Sequence, residues 1–376
     1  MKNDDNRSDH PDQNQHPEQK PDAKQNRWQE PTGPEPWPQA VNGCEVADDI
    51  AASISRHLIL KSGAPEVVAL WVMAAHAYNS FDVSPRLAFL SPMPECGKTT
   101  ALSIVRQLVP RALMTSNVTP AVIFRIIEKC CPTLLIDEAD TFFTNNEELR
   151  GILNSGHTRA GAIVVRCEGD DYNPRGYSTW APMVIAKIGS LPSTLHGRSF
   201  VIPMQRKRRG ERIEPFRPER DNRVAVLGRR SARWAVDHAR ELANAEPSIP
   251  SALRNRAADN AFPLLAVADA LGGHWPETAR RWLPEFLSDD ADDAFLPDVR
   301  AALATLPDDG QDFVPSSALA GAISKMEDRT WGQLTAAAIA SKLRPYGIAP
   351  KAQRKGEDVL RGYKRSEFAD VFARYL

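Results

Sequence analysis

The segment Ser91–Thr100 (Ser-Pro-Met-Pro-Glu-Cys-Gly-Lys-Thr-Thr) combines residue types that bind phosphate. It fits the pattern G-x-x-x-x-G-K-[ST], except that Pro92 replaces the first glycine. In this pattern Gly97 lets backbone N–H groups approach phosphate oxygens, Lys98 supplies a cation, and the Thr99 hydroxyl ligates Mg²⁺. The predicted phosphate-binding residues are Pro94, Glu95, Cys96, Gly97, Lys98, Thr99 and Thr100. A chance Gly-Lys-Thr at the start of a helix is the alternative.

Further along the chain, an apolar run ends in two carboxylates, in Thr133–Glu138 (Thr-Leu-Leu-Ile-Asp-Glu). Beside a phosphate loop, a carboxylate at the end of a buried strand holds the Mg²⁺ shell, and a second group polarises the attacking water. We assign these two roles to Asp137 and Glu138. A glutamate directly after the aspartate favours hydrolysis over phosphate transfer to another substrate.

Two basic residues stand where they could act on the same phosphates. Lys187 ends the apolar run 183–187 and is predicted to sense the γ-phosphate; an ordinary strand-end lysine is the alternative. Arg198 directly precedes the next apolar run, 199–204. An arginine at this place in oligomeric ATPases reaches the neighbour's nucleotide and stabilises transition-state charge. For Arg198 a surface salt bridge is the alternative.

These residues require a parallel sheet whose strands alternate with helices. Apolar runs predict the strands, and amphipathic stretches predict the helices between them. The strands are predicted at Leu87–Ser91, Ala112–Thr115, Thr133–Asp137, Met183–Lys187 and Ser199–Met204, with helices near 98–108, 120–129 and 147–154. A hairpin is predicted from 162–167 and 172–180; one interpretation is a pore-facing hairpin that follows a nucleic-acid strand.

Composition is typical of a soluble protein with several domains. Of 376 residues, 47 are basic and 48 acidic, which gives a net charge of −1 and excludes a chain that is basic throughout. No apolar run is long enough to span a bilayer. The predicted domains are an acidic, proline-rich disordered tail (1–38), a helical segment (39–84), the P-loop core (85–218), a helical lid (219–288) and a C-terminal domain (289–376).

Cysteine and histidine usage predicts neither a disulfide framework nor a structural zinc site. The five cysteines lack C-x-x-C spacing, and the eight histidines lack the spacing of metal ligands. The N-terminus is polar and acidic rather than basic and then apolar, so no secretory signal is expected. We therefore expect a reducing, cytoplasmic location and no membrane association.

The chain resembles the domain of unknown function 3631 family, a P-loop family of phages and actinobacterial mobile elements that often occurs beside or fused to primases. Two of the motifs that carry the resemblance are the phosphate loop and the acidic motif, at Cys96–Thr99 and Leu135–Asp140. The others are Ala69–His76, Ser84–Leu87, Ile152–Gly156, Leu191–Arg198, Arg256–Asn260, Ala268–Pro276 and Arg361–Phe368. Together they extend over roughly residues 40–376.

The resemblance implies ATPase or helicase activity and an AAA+-like fold. In similar AAA+ ATPases an arginine at the start of a lid helix reaches back to the γ-phosphate, which makes Arg256 a candidate second sensor. An ion pair between Arg256 and Asp259, three residues apart on one helix, is the alternative.

Basic residues concentrate near the C-terminus. The segment Lys342–Arg365 contains eight basic and two acidic residues, with Tyr346 and Tyr363 interleaved. It follows a helix-turn-helix-like pattern, so we predict a winged-helix domain that contacts DNA phosphates. The predicted contacts are Lys351, Arg354, Lys355, Arg361, Lys364 and Arg365. A solvated basic face is the alternative.

These motifs together predict an α/β P-loop NTPase with a helical lid and a C-terminal winged helix. We expect it to bind ATP and Mg²⁺, to form a homo-oligomeric ring and to act on single-stranded or forked DNA, with a primase as a candidate partner. The predicted function is ATP hydrolysis coupled to DNA unwinding or remodelling in phage or mobile-element replication. One alternative is an ATP-dependent switch or assembly factor that recruits a primase or defence partner without unwinding DNA. Another is nucleotide binding without turnover.

Overall fold

The strands and helices follow the order that the apolar runs predict. The computed structural model describes residues 28–115, 118–137, 147–168, 172–208, 210–219, 222–287, 295–307, 312–326, 334–355 and 358–376. The strands in these ranges are β1 (Arg86–Ser91), β2 (Ala112–Thr115), β3 (Thr133–Ile136), β4 (Ile163–Glu168), β5 (Asn173–Ser178), β6 (Met183–Ile188), β7 (Ser199–Pro203), β8 (Val314–Pro315), β9 (Lys351–Lys355) and β10 (Asp358–Tyr363).

The helices of the described ranges form three groups along the chain. The first group precedes and alternates with the strands: α1 (Gly43–His57), α2 (Ala64–His76), α3 (Lys98–Leu108), α4 (Pro120–Cys130), α5 (Glu147–Ser155) and α6 (Ser193–His196). The second follows β7: α7 (Arg223–Ala243), α8 (Asn255–Leu271) and α9 (Trp275–Phe286). The third is C-terminal: α10 (Phe295–Thr305), α11 (Ser316–Ser324), α12 (Ala336–Leu343) and α13 (Arg365–Tyr375). Within the described residues, no helix combines the length and apolarity needed to cross a bilayer.

The central sheet is parallel and has the strand order β2-β3-β6-β1-β7. Its strands confirm the five predicted ones to within one residue at each end. β6 lies between β1 and β3, the strands that precede the phosphate loop and the acidic motif. Ser91 pairs with Ile188, and Ile136 pairs with Ile185. The carboxyl ends of these three strands therefore lie at the same edge of the sheet.

Buried side chains cover both faces of the sheet. In β1, Leu87 and Phe89 belong to one apolar cluster with α1, α2, α3, α7, α8 and α9, whereas Ala88 belongs to a second cluster with α4 and α5. This alternation explains the continuous apolar runs, which are typical of parallel strands buried on both faces. The helices of the predicted segments 39–84 and 219–288 thus share one core with one face of the sheet.

α1 shows how local sequence positions these helices. The Asn42 side chain accepts a hydrogen bond from the Glu45 N–H over 3.4 Å and so caps the first turn. Val46, Ile50 and Ile54 recur every four residues and are all buried. A stripe with this spacing faces one side of a helix, and here that side packs into the core.

The C-terminal region has a core of its own. α10, α11, α12 and α13 pack with the antiparallel sheet β8-β10-β9. The rings of Phe295, Tyr363 and Phe368 are fully buried in this cluster. The predicted boundary at 288/289 lies outside the described residues.

The chain before α1 contacts α7. Arg229 Nε donates to the Glu35 carbonyl oxygen over 2.9 Å, and the Trp37 N–H donates to the Arg229 carbonyl oxygen over 3.0 Å. Glu35 and Trp37 belong to the predicted tail 1–38, so the end of that segment forms hydrogen bonds with α7. The part of that prediction that concerns 1–27 lies outside the described residues.

Candidate functional site

The loop between β1 and α3 enters the helix through a glycine in the left-handed region. Gly97 has φ +84°, in the left-handed region, and directly precedes α3. A side chain would be strained in this conformation, which explains the glycine. The Gly97 carbonyl oxygen accepts from the Ala101 N–H over 2.9 Å, which begins the helical ladder. The N–H groups of the first turn have no partner within a helix and point toward the loop.

The Lys98 ammonium folds back onto the end of β1. Its Nζ donates to Ser91 Oγ over 2.6 Å, and the Ser91 hydroxyl donates to the Met93 carbonyl oxygen over 2.8 Å. Lys98 is half-buried, whereas Thr99 is exposed. The Lys98 ammonium binds an anion more strongly than it binds a neutral hydroxyl. An anion can therefore displace the serine hydroxyl from Lys98.

Glu95, an anion within this loop, pairs with Arg206, which follows β7. Both side chains are exposed. Arg206 therefore offsets the charge of a carboxylate in the loop that is predicted to bind phosphate. Of the remaining predicted loop residues, Pro94 is exposed, Thr100 is half-buried, and the buried Cys96 thiol lies 3.7 Å from the Pro94 carbonyl oxygen.

Asp137 and Lys187 lie at the same edge of the sheet as this loop. Asp137 directly follows β3, and its N–H donates to the carbonyl oxygen of Thr115 at the end of β2 over 3.1 Å. Lys187 lies in β6, and its Nζ donates to the Ile188 carbonyl oxygen over 2.9 Å. Both residues are half-buried. Glu138 lies outside the described residues.

The carboxyl edge of the sheet thus brings together Lys98, Lys187 and Asp137. Neighbouring strands are about 4.8 Å apart, so β1 and β3 are separated by roughly 10 Å, with β6 between them. In open α/β sheets, ligands bind outside the carboxyl ends of the strands. Two ammonium groups and one carboxylate at such an edge are suited to an anion accompanied by a divalent cation.

Arg198 lies at the opposite, amino edge of the sheet. It directly precedes β7, its carbonyl oxygen accepts from the Arg86 N–H over 2.8 Å, and its Nη1 donates to the Thr194 carbonyl oxygen over 2.6 Å. β1 has six residues and rises about 3.3 Å per residue, so the two edges are roughly 16 Å apart. The structure therefore does not bring Arg198 to the Lys98 of the same chain.

Arg86 forms the buried centre of the amino edge. The guanidinium is fully buried and donates to the carbonyl oxygens of Ser84 (3.1 Å), Ala181 (3.0 Å) and Leu153 (2.8 Å). Burial, and after it the positive charge of Arg198, lowers the pKa of Arg86 to about 9. The sequence motifs did not predict this role of Arg86; an arginine directly before an apolar run is the one sequence signal that could have indicated it.

His157 and Asn260 connect the amino edge to α8. His157 Nε2 donates to Asn260 Oδ1 over 2.6 Å, and Asn260 Nδ2 donates to the Gly197 carbonyl oxygen over 3.1 Å. Burial, and after it the charge of Arg86, lowers the pKa of His157 to about 3. Arg256 lies one helical turn before Asn260 on α8, which places it near this edge. The geometry therefore does not support a reach of Arg256 to the phosphate loop of its own chain.

β4 and β5 form the predicted hairpin, although its tip at 169–171 lies outside the described residues. Two of its arginines are paired within the chain: Arg166 Nη2 lies 2.5 Å from Glu148 Oε1, and Arg175 Nη1 lies 3.1 Å from Glu168 Oε2. The charges of these two arginines are thus offset by carboxylates of the same chain.

The ribbon of β9 and β10 carries most of the predicted nucleic-acid contacts. The strand register places Arg354 and Arg361 on one face and Lys351 and Lys355 on the other. Arg354 and Arg361 are exposed. Lys351 pairs with the Glu367 carboxylate, and the side chain of Lys355 lies outside the described part of the structure.

The Arg365 guanidinium forms hydrogen bonds within the C-terminal domain. Its Nη1 donates to the Leu303 carbonyl oxygen over 2.7 Å, and its Nη2 donates to those of Leu306 and Pro307, each over 3.1 Å. These carbonyls lie at and just beyond the end of α10, where the helix dipole is negative. The guanidinium of Arg365, a predicted DNA contact, is thus held by backbone carbonyl oxygens of its own chain. Lys364, its neighbour, is exposed.

Two solved structures are weakly similar to this chain. They are described as "The A form apo structure of NrS-1 C terminal region-CTR" and "The A form apo structure of NrS-1 C terminal region-CTR(305-718)". Each is 10% identical to this chain, with a TM-score of 0.39. The similarity covers 88% of this chain and 77% and 76% of the two structures, respectively.

Sequence comparison gives two matches. A protein of Saccharopolyspora erythraea, described as "Uncharacterized 28.9 kDa protein in xis 5'region", is 30% identical over 186 residues, which cover 46% of this chain and 68% of that protein. The model of the family described as "Protein of unknown function (DUF3631)" matches residues 203–375. This match begins at the last residue of β7, so the phosphate loop lies outside it. The chain belongs to the family of unknown function 3631.

Proposed function

We propose that this protein is a Mg²⁺-dependent ATPase of the P-loop, AAA+-like class. One observation carries the proposal: β1 ends in a loop with a left-handed Gly97 and with Lys98 at the start of α3, and β3 ends in Asp137 at the same sheet edge. P-loop ATPases use a lysine and a carboxylate in these positions for the phosphates and the metal shell. The Lys187 of β6 lies between them, where a sensor of the γ-phosphate belongs.

The residues at this edge fit a nucleoside triphosphate. The conformation of Gly97 and the first N–H groups of α3 form a cradle for phosphate oxygens. Lys98 exchanges its serine partner for a phosphate oxygen. The exposed Thr99 hydroxyl and the Asp137 carboxylate are oxygen ligands of the kind that Mg²⁺ takes. When bound, Mg²⁺ offsets charge on the transferred phosphoryl group, and Glu138 orients the attacking water.

In this proposal Arg198 acts on the nucleotide of a neighbouring subunit. Its place at the amino edge, roughly 16 Å from the phosphate loop of its own chain, is compatible with action across an interface. A head-to-tail contact that closes on itself brings the amino edge of one subunit to the carboxyl edge of the next and forms a ring. We assign Arg256, which lies near the same edge, to that interface.

We connect the ATPase to DNA through the C-terminal domain, which we interpret as a winged helix. In this interpretation α12 is the recognition helix and the β9–β10 ribbon is the wing. Arg354, Arg361 and Lys364 are exposed. Such residues bind phosphates without reading base sequence. The proposed task is unwinding or remodelling of single-stranded or forked DNA in phage or mobile-element replication, with a primase as the candidate partner.

One observation favours the alternative, an ATP-dependent switch or assembly factor that does not translocate. A hairpin that follows a DNA strand needs cations directed at phosphates, whereas Arg166 and Arg175 pair with carboxylates of the same chain. In this second proposal, ATP binding changes the affinity for a primase or defence partner.

The test measures ATP hydrolysis and forked-duplex unwinding by the full chain, with and without single-stranded DNA. We expect DNA to stimulate hydrolysis, and Arg354→Ala/Arg361→Ala to abolish the stimulation and to lower the salt slope of DNA affinity by about 2. Arg212→Ala, a substitution of another exposed arginine, is the control.

ATP hydrolysis that DNA does not stimulate, together with no unwinding of the forked duplex, would favour the ATP-dependent switch. An unchanged rate in Glu138→Gln would indicate nucleotide binding without turnover.

A further inference from the structure

Three side chains with metal-ligating atoms converge away from the sheet edges. Cys44 and Asp48 lie in the first turns of α1, and His274 directly precedes α9. Cys44 Sγ is 3.8 Å from Asp48 Oδ2, and His274 Nε2 is 2.9 Å from Asp48 Oδ1. All three ligand atoms lie within 4.8 Å of one another.

The backbone allows this convergence in two ways. Residues four apart on a helix lie on the same face, so Cys44 and Asp48 are neighbours on α1. Gly272 and Gly273 both have positive φ, +70° and +59°. A Cβ on Gly273 would lie 2.9 Å from Cys44 Sγ, so glycine is needed for the chain to pass this close. The glycine pair thereby carries His274 over the face of α1.

We propose that Cys44, Asp48 and His274 bind a zinc ion. A thiolate, an imidazole and a carboxylate are the three ligand types of Zn²⁺ sites in proteins. With the usual bond lengths, ligand atoms of a tetrahedral zinc site lie about 3.3 to 3.7 Å apart. The separations of these atoms, from 2.9 Å to at most 4.8 Å, bracket that range. Small rotations of exposed side chains therefore complete the site.

The surroundings of His274 support a metal ligand. Its Nδ1 lies 3.0 Å from the Thr278 hydroxyl oxygen one turn further on. A partner on the second ring nitrogen is what metal-binding histidines nearly always have, because it fixes the ring and directs the other nitrogen at the metal. About half of the His274 and Asp48 side chains is exposed (56% and 47%), so water can take the fourth position.

The bound ion would join α1 to the start of α9. These helices come from segments that are far apart in the sequence and share one core. Thiolate and imidazole ligands select zinc over Mg²⁺, which prefers oxygen ligands. The site is therefore chemically distinct from the proposed nucleotide site, and its occupancy can be measured without any ATPase assay.

The experiment titrates the metal-free full chain with Zn²⁺ against a chromophoric chelator, and with Co²⁺ as a spectroscopic probe. We expect one ion per chain, a thiolate-to-cobalt charge-transfer band and a rise in melting temperature with Zn²⁺. Cys44→Ser should abolish the band, and His274→Gln should lower zinc affinity more than 100-fold. Thr278→Val, which removes the second partner of the imidazole, should cost about 10- to 100-fold.

Cys167→Ser is the matched control, because Cys167 is an exposed cysteine outside the cluster. It should bind zinc like the wild type. Equal zinc affinity in Cys44→Ser and wild type, or no stoichiometric binding by the wild type, would overturn the proposal and leave a hydrogen-bonded contact between α1 and His274. Melting temperatures of the metal-free variants, expected to be near that of the wild type, show that the loss of binding is not a loss of folding.

Discussion

The two edges of the central sheet place charged groups in opposite environments. At the carboxyl edge, Lys98 is half-buried and its ammonium is held by a serine hydroxyl. At the amino edge, Arg86 is fully buried and its guanidinium is held by three backbone carbonyl oxygens. Water can still hydrate the Lys98 ammonium, whereas the hydrogen-bond partners of the Arg86 guanidinium are protein atoms.

The difference separates charged residues that stabilise the fold from charged residues that are available to a ligand. A buried cation that lost its partners would carry a large desolvation penalty, so its hydrogen bonds are part of the native state. A half-buried ammonium on a hydroxyl can change partners at small cost. Substitutions at the two edges should therefore separate activity from stability.

The largest expected effect is the loss of turnover in Lys98→Ala. Removing a charge-stabilising donor from an active site typically costs about 100- to 1000-fold in rate, and we expect at least this loss in steady-state ATP hydrolysis. The free energy of unfolding should change by less than about 0.5 kcal/mol, because the side chain is not part of the core. Wild-type hydrolysis rates in Lys98→Ala would remove the catalytic role from this edge.

The opposite pattern is expected for Arg86→Met. Methionine leaves the carbonyl oxygens of Ser84, Leu153 and Ala181 without their donor, at about 1 to 3 kcal/mol each. Urea denaturation should show a loss of roughly 3 kcal/mol or more in the free energy of unfolding. Arg208→Met, at an exposed position, is the control and should change it by less than about 0.5 kcal/mol. Equal stability of the two variants would contradict the assignment of Arg86 to the fold.

The amino edge should also make stability depend on pH through His157. Its pKa is about 3 in the folded chain, below the ordinary value of 6.5, so the unfolded chain binds more protons between these values. The contribution of neutral His157 to the free energy of unfolding is fully present above pH 6.5. It decreases as the pH falls, by roughly 2 kcal/mol at pH 5. Urea denaturation at pH 7 and pH 5 should show this loss in the wild type and less of it in His157→Gln. An identical pH dependence in both would count against a neutral buried histidine.

The smallest expected effect concerns the exposed pair of Glu95 and Arg206 beside the phosphate loop. If ATP binds as proposed, Arg206→Ala leaves the Glu95 carboxylate unpaired near its phosphates. The KM for ATP should then rise by about 2- to 5-fold, since exposed pairs contribute about 1 kcal/mol or less. Glu95→Gln/Arg206→Ala should restore the KM, and high salt should reduce the difference. A KM that stays raised in the double variant would show that Arg206 contacts the nucleotide directly.

The sequence predicts the carboxyl edge far better than the amino edge. Strands β1, β3 and β6 are recognisable as continuous apolar runs, and Lys98 and Asp137 stand at their ends within a few residues, so local patterns suffice. Arg86, His157 and Asn260 come from three distant segments, and their hydrogen bonds exist only once the chain has folded.

Other contacts between residues far apart in the sequence could not be predicted for the same reason. His274 and Asp48 are 226 positions apart, so no spacing rule could join them with Cys44 into one cluster. Arg365 belongs to a basic run in the sequence, yet its partners are carbonyl oxygens near the end of α10, about sixty residues earlier. Runs of basic residues indicate where cations concentrate. Only the fold shows which of these cations already have hydrogen-bond partners within the protein.

A mixing experiment tests whether the carboxyl edge of one subunit and the amino edge of its neighbour form one ATPase site, as proposed. Lys98→Ala and Arg198→Ala should each be inactive alone, because each lacks one half of every site. Mixed in equal amounts, they should regain hydrolysis, since some interfaces then join an intact Lys98 to an intact Arg198. A mixture as inactive as its components, with both variants folded and assembled, would contradict the account.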